Sequence, residues 1–259
     1  VSATQQGLDG RLAWVTGGGT GIGRATAEWL ARAGATVAIS GRRIEELEKT
    51  AAELGAQGLK IVVARADVSD PASVAEAHAA IVAGHGTVSV LVCAAGTNVP
   101  NRSWKKLAPD GFAKVVQINL AGVANAVLAA LPGMRAAGTG TIVVVSSFAG
   151  WAYKDFPGVA YSASKAALDP LVQSLNDEEG PHGIRACHFC PGEVATPILK
   201  TRPVPPSDEE VARMLRTADI ADAIGYVVTA PPHVCLAEVV IAPTWNRFYI
   251  GGEDLKRRA

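Results

Sequence analysis

Seven apolar runs of strand length punctuate the chain: RLAWVT at 11–16, TVAIS at 36–40, LKIVVA at 59–64, VSVLVCAA at 88–95, GTIVVVSS at 140–147, IRACHFC at 184–190 and EVVIAP at 238–243. Most are followed by a segment in which apolar positions recur with the period of a helix. The runs are continuous rather than alternating, as expected of strands covered by helices on both faces. Strand–helix alternation requires crossover connections, so the pattern predicts an α/β fold built on a doubly wound, mostly parallel sheet of seven strands. No repeat of fixed period and no linker rich in Gly, Ser or Pro divides the 259 residues, which are therefore expected to form a single domain.

Two segments depart from the alternation: 196–216, and 244–259, an aromatic and basic tail expected to pack on the body or fray rather than act as a binding arm. Residues 196–216 contain the proline-rich run LKTRPVPPSDEE before a short helix that Ser207 can cap, and this segment is the candidate lid over a site. Lys200 and Arg202 within it are candidates for binding a substrate carboxylate, set against the more common fate of loop charges, which is plain solvation.

Composition and charge narrow the partners. With 24 Lys plus Arg against 24 Asp plus Glu, the chain generates no net field to attract nucleic acid or an anionic membrane. No secretory signal is apparent, and no run approaches the roughly 18 apolar residues of a membrane span. A cytoplasmic protein acting on small molecules is the expectation. The four cysteines, Cys93, Cys187, Cys190 and Cys235, are few for this length, and three lie in apolar runs, which suits buried side chains in a reducing compartment. CHFC lacks the second Cys pair or His pair that a zinc site of this kind needs, so no metal is expected.

The segment LAWVTGGGTGIGRATAEWLARAG reads as strand, tight turn and helix, with Gly17, Gly21 and Gly23 spaced GxxxGxG. Such a turn lets backbone approach a pyrophosphate at the positive end of the following helix, although a glycine cluster alone also serves as a purely structural turn. Arg24 and Ala25 stand where a triphosphate loop needs Lys and Ser or Thr, which argues against a kinase or ATPase. Beyond the second strand the sequence is Ser40-Gly41-Arg42-Arg43, with no carboxylate before Glu45. That composition favours NADP, with Arg42 and then Arg43 on the 2′-phosphate, over NAD, which an acidic residue would select. Tyr161 and Lys165 lie four apart in a segment of helical period, one turn from each other, where an ammonium can lower the phenol pKa from about 10 towards neutrality.

Taken in order, TGGGTGIG (16–23), ADV (66–68), CAAG (93–96), INL (118–120), SSFAG (146–150), YSASK (161–165) and PGEVAT (191–196) make the chain from Leu8 to Pro243 resemble the classical short-chain dehydrogenase/reductase family. The resemblance implies a Rossmann-like fold and a reversible hydride transfer between a nicotinamide cofactor, NADP or possibly NAD, and a small alcohol or carbonyl compound. It further implies that Gly17, Gly19, Thr20, Gly21, Ile22 and Gly23 hold the pyrophosphate, that Asp67 and Val68 contact adenine, and that Ala94, Ala95 and Gly96 line the adenosine side. Pro191, Gly192, Val194 and Thr196 would hold the nicotinamide amide. Asn119, on a long helix from about Asp110 to Arg135, would anchor a water leading to Lys165, which would also bind the nicotinamide ribose. Ser147, the second serine of SSFAG, would polarise the reacting oxygen while Tyr161 transfers its proton. A homo-oligomer, dimer or tetramer, is implied as well. Phe148, Trp151, Tyr153 and Phe156 are candidates for an aromatic substrate pocket or for packing, and Pro170 should bend the helix that carries Tyr161. The alternative from another class is a cofactor-binding sensor or structural subunit with little turnover, which would have no need of Asn119, Ser147, Tyr161 and Lys165 together.

Overall fold

The computed structural model describes residues 7–202 and 204–246, with the side chains of 200 and 201 left out, so all but the start of the 244–259 tail lies outside the described residues. In chain order the elements are β1 (Leu12–Thr16), α1 (Gly21–Arg32), β2 (Thr36–Ser40), α2 (Ile44–Gly55), β3 (Ile61–Val63), α3 (Pro71–His85), β4 (Val88–Cys93) and α4 (Pro109–Val116). A π turn (Gln117–Ala121) then leads into α5 (Gly122–Ala137), β5 (Gly140–Val145), α6 (Phe148–Trp151), α7 (Val159–Ala166), α8 (Leu168–Glu179) and β6 (Ile184–Pro191). After a 3-10 turn (Pro197–Thr201) come α9 (Asp208–Ala212), α10 (Thr217–Thr229) and β7 (Glu238–Ile241). All seven apolar runs become strands of one sheet, in the order β3-β2-β1-β4-β5-β6-β7 with every pairing parallel.

The period-two alternation of strand side chains sorts the core into two layers. Leu12, Trp14, Leu91, Ile142, Val144 and Ala186 face α3, α5 and α8, where Ile81, Val127, Met134 and Val172 meet them. Ala13, Val15, Ile39, Val92, Val143 and Phe189 face α1, α2 and α10, against Leu30, Leu47, Ile224 and Val228. Apolar side chains dominate both layers, which is why the central strands read as continuous apolar runs.

The long helix expected from about 110 to 135 runs from Pro109 to Ala137, and the π turn at Gln117–Ala121 interrupts its regularity. An 18-residue window of this run has a mean hydropathy of 1.6, long and apolar enough by length and composition to cross a membrane, contrary to the expectation that no stretch comes close. Half of that window is buried inside the fold, where α5 packs on β4, β5 and α3.

The bend expected at Pro170 is not found there: the residue lies inside α8, which runs through it, and the interruption of the helix comes three residues earlier. Helix α7 ends at Ala166, Ala167 adopts φ −66°, ψ −13°, and α8 starts at Leu168. Proline has no N–H to donate to the carbonyl four residues back, and its ring crowds that carbonyl, so the helix breaks in the preceding turn rather than at the proline.

Candidate active site

The strand order reverses between β1 and β4, and the crevice this leaves at their carboxyl ends is the characteristic ligand position of such sheets. A cavity of about 560 Å³ opens there and runs from the β1–α1 turn to the start of α7. The turn is held by the N–H groups of Gly17 and Gly18, which donate to the Ser40 carbonyl at 2.7 and 3.1 Å. Gly17 has φ +71°, and a Cβ there would lie 2.8 Å from the backbone of Ala95; one on Gly23 would lie 2.3 Å from the Gly17 carbonyl oxygen. Only hydrogens fit at these two positions. Thr20 makes no side-chain cap bond to α1, and Gly17, Gly19, Thr20, Gly21, Ile22 and Gly23 all border the cavity. The unbonded N–H groups that open a helix thus meet the cavity, an arrangement suited to an anion.

Further along, Arg42, Arg43, Asp67 and Val68 form the wall at one end. Ser40, adjacent in sequence, is fully buried and accepts a 2.7 Å hydrogen bond from the indole of Trp14, so it belongs to the core. A carboxylate does reach this end: Glu46 borders the cavity 4.0 Å from Arg43, one residue beyond the first acidic position considered from the sequence. Arg42 has no carboxylate within ion-pair distance among the described residues. Asp67 accepts from the N–H and hydroxyl of Ser69 at 3.0 and 2.6 Å. Burial alone would raise its pKa, but those bonds and the charges of Arg42 and Arg65 hold it below the ordinary value.

The same cavity is bordered by Ala94, Ala95 and Thr196, which lie beside the glycine turn, by Pro191, Gly192 and Val194, and by Gly96, Ser147, Tyr161 and Lys165 towards α7. Tyr161 and Lys165 share α7, and the ammonium lies 5.9 Å from the Tyr161 ring centroid while donating to the Val145 carbonyl at 2.7 Å. The lysine is nearly sealed, and burial lowers its pKa to about 8. The two serines divide as strand geometry dictates. Ser146 is buried and donates to the Lys165 carbonyl at 3.1 Å, whereas Ser147 caps α6, accepting from Ala149, and hydrogen-bonds Tyr161.

The expected influence of Lys165 on the phenol needs correcting. Burial pushes the Tyr161 pKa up, and what opposes it is the Ser147 hydrogen bond and the charges of Arg202 and Arg102. The ammonium is committed to Val145 and carries a lowered pKa of its own, so it is not the group that counters burial here.

Among the residues predicted for catalysis and cofactor binding, Asn119 alone does not border the cavity. It is fully buried in the π turn, where its amide clasps both backbone groups of Thr97 (2.8 and 3.0 Å) and donates to Ser164 at 3.1 Å. Ser164 in turn donates to the Tyr161 carbonyl. Asn119 therefore ties the loop after Gly96 to the helix of Tyr161 and Lys165.

Several bordering residues were not singled out from sequence: Asn98, Arg102 and Leu199, which lie in no quoted motif, and Glu193, which lies within PGEVAT. Arg102 belongs to a loop without periodicity, so only its proximity in space marks it. Of the candidate aromatics, Phe156 borders the main cavity and Phe148 is core, while Trp151 and Tyr153 border a neighbouring cavity of about 590 Å³ with Trp104. Arg202 borders the main cavity; the Lys200 side chain lies outside the described residues. In CHFC, Cys187 and Cys190 point to opposite faces of the sheet and do not pair. Cys190 instead lies with His188 and Glu238, their ligand-capable atoms within 4.8 Å of one another, a grouping the sequence reading did not foresee.

A parallel sheet in this order with a glycine turn at its switch point defines a dinucleotide-binding class of α/β protein. The chain matches the short chain dehydrogenase family over residues 11–205 and belongs to that family of oxidoreductases. Glycine betaine reductase ATRR of Emericella nidulans is 36% identical over 250 residues, which are 91% of this chain and 19% of that longer protein. Among solved structures, an alcohol dehydrogenase from the archaeon Thermococcus sibiricus complexed with 5-hydroxy-NADP superimposes with a TM-score of 0.82 at 29% identity, covering 92% of this chain and 98% of that one. A 3-oxoacyl-[acyl-carrier protein] reductase with bound NAD from Brucella melitensis gives 0.80 at 30%, covering 92% and 91%.

Proposed function

We propose that this chain interconverts an alcohol and a carbonyl compound by hydride exchange with NADP, or less readily NAD, and that Tyr161 is its general acid and base. The observation that carries the reading is the Tyr161 hydroxyl bonded to Ser147 at one end of a cavity whose other end is the glycine turn. A dinucleotide fits the residues present. The turn leaves no room for a Cβ at Gly17 or Gly23, the start of α1 meets the cavity, and Arg42 and Arg43 supply positive charge where a 2′-phosphate would lie. When bound, the nicotinamide gives or accepts the hydride.

In the reducing direction, Ser147 and Tyr161 hydrogen-bond the substrate carbonyl oxygen, drawing charge from the carbon. Tyr161 then delivers its proton to the oxygen as it becomes an alkoxide. The phenolate so formed is stabilised by Ser147 and by nearby cations, the same groups that oppose the effect of burial. Lys165, at its lowered pKa, is placed to pass a proton on once the phenol has lost its own. Asn119 keeps the loop after Gly96 and the helix of Tyr161 in register. Residues 196–216 act as a lid that excludes water, and we take the functional form to be a homo-oligomer.

The test is Tyr161→Phe. Turnover of carbonyl substrates should fall by about 10²–10⁴-fold, while titration by cofactor fluorescence should give an affinity close to that of the wild type. Intact turnover in the variant would overturn the assignment.

A further inference from the structure

Two guanidinium groups stand at the Tyr161 end of the cavity, and among the described residues only one of them is paired with an acid. Arg202 is fixed: it pairs with Glu193 at 2.8 Å, both side chains largely buried, and stacks over the Phe156 ring at 4.8 Å. Arg102 is half-buried, and its Nε donates to the Val99 carbonyl at 3.0 Å. Among the described residues no carboxylate lies within ion-pair distance of it. Among the described residues the one acidic side chain bordering this end of the cavity is Glu193, already engaged by Arg202; Glu46 and Asp67 belong to the far end.

The position of Arg102 is built in. Its carbonyl accepts from the N–H of Val159 at 3.2 Å, which pins the 97–108 loop to the first turn of α7. Gly158, at φ +87°, lets that contact form, since a Cβ there would lie 2.4 Å from the Arg102 Cβ. The cation is thus anchored to the helix that carries Tyr161. Holding it half out of water beside a second cation is unfavourable: burial and the Arg202 charge both lower the Arg102 pKa. A ligand that brings a negative charge to this end relieves both costs.

We propose that the substrate is an anionic carbonyl or alcohol compound whose charged group, a carboxylate or a phosphate, is received by Arg102 with Arg202 beside it. This deepens the reading of the site as an alcohol/carbonyl oxidoreductase and rests on it. The reacting carbon lies at Tyr161 and the charge a few bonds away, so oxo acids and keto-phosphates are the two chemical sources.

The experiment pairs 2-, 3- and 4-oxo carboxylic acids with their methyl esters, and dihydroxyacetone phosphate with dihydroxyacetone. Each compound is assayed as substrate with NADPH and NADH, and as ligand by the melting temperature of the protein saturated with NADP⁺. In at least one series the charged member should exceed the neutral one in kcat/KM by about tenfold or more, and it alone should raise the melting temperature. Arg102→Gln should erase that preference and Arg102→Lys should retain much of it, which separates loss of charge from loss of fold. The series that responds identifies carboxylate or phosphate. Equal use of charged and neutral members, or an Arg102→Gln effect equal on both, would overturn the anion site while leaving the oxidoreductase reading in place. Stabilisation by the charged members that depends on Arg102, without turnover of any compound, would support the anion site and overturn the reaction. Neither turnover nor stabilisation would overturn both.

Discussion

Arg42 and Arg43 border the same wall of the cavity but differ in their neighbours: Arg43 has Glu46 at 4.0 Å, and Arg42 has no such partner among the described residues. Arg42 is therefore the freer cation for a 2′-phosphate. Arg42→Ala should weaken NADPH by about tenfold, the scale of a charge-assisted hydrogen bond at a partly solvated position, and change NADH little; equal losses for the two cofactors in a fluorescence titration would refute the assignment. Lys165 allows a second prediction. Its pKa is lowered from 10.5 to about 8, so between those two values the unfolded chain binds more protons than the native one. Stability attributable to this residue must rise with pH across that window and be least favourable below it. Lys165→Met removes this dependence, and the melting-temperature advantage of the variant over the cofactor-free wild type should shrink from pH 8 to 10.5; an advantage constant across that range would count against it. At this scale, glycines and the Tyr/Lys pair were readable because backbone conformation and helical spacing are local properties. Arg102 was not, because what distinguishes it is a place in three dimensions beside Arg202 with no carboxylate in ion-pair reach among the described residues.

Elements were more legible than their junctions. Each apolar run became a strand; in the central strands burial on both faces leaves a continuous signature, whereas β3 and β7 at the sheet edges are only partly buried. Ser207 caps α9 as its position before DEE suggests, with Glu210 completing a capping box. Interruptions were less visible. Nothing in INL announces a π turn, and the break near Pro170 moved to Ala167 because proline acts on the turn before it. The β1–α1 turn carries a sharp prediction. Gly23→Ala would drive a methyl into the Gly17 carbonyl, so the variant should lose about 1–3 kcal/mol in denaturant unfolding and weaken cofactor binding as well. The proposed lid touches the cavity through Thr196, Pro197, Ile198, Leu199 and Arg202. Shortening it should raise KM for the carbonyl substrate by about tenfold or more and the cofactor dissociation constant by less; equal increases would argue against a lid.

For the molecule as a whole, the cavity is bordered by the carboxyl ends of β1, β2, β4, β5 and β6 and by the segment before α9, so a bound ligand would join parts distant in sequence. A cofactor at a hundredfold its dissociation constant should stabilise the fold by about 2.7 kcal/mol, which for a domain of this size is a rise of about 5–10 °C in melting temperature. NADPH should give the larger shift at equal concentration, and a thermal scan reads it directly. The fold class followed from strand–helix alternation alone, since alternation leaves few topologies open; the shape of the cavity mouth did not, because loops of irregular backbone set it.

The wide turn at Gln117–Ala121 holds one residue more than a regular helix would over the same rise. Excising a single residue there would let α4 and α5 merge into one ordinary helix, still in phase with the sheet. Such a shortened chain should fold, yet it would swing the Asn119 amide off Thr97 and uncouple the cofactor side of the crevice from the proton-transfer side. Architecture and chemistry would then part company at one position.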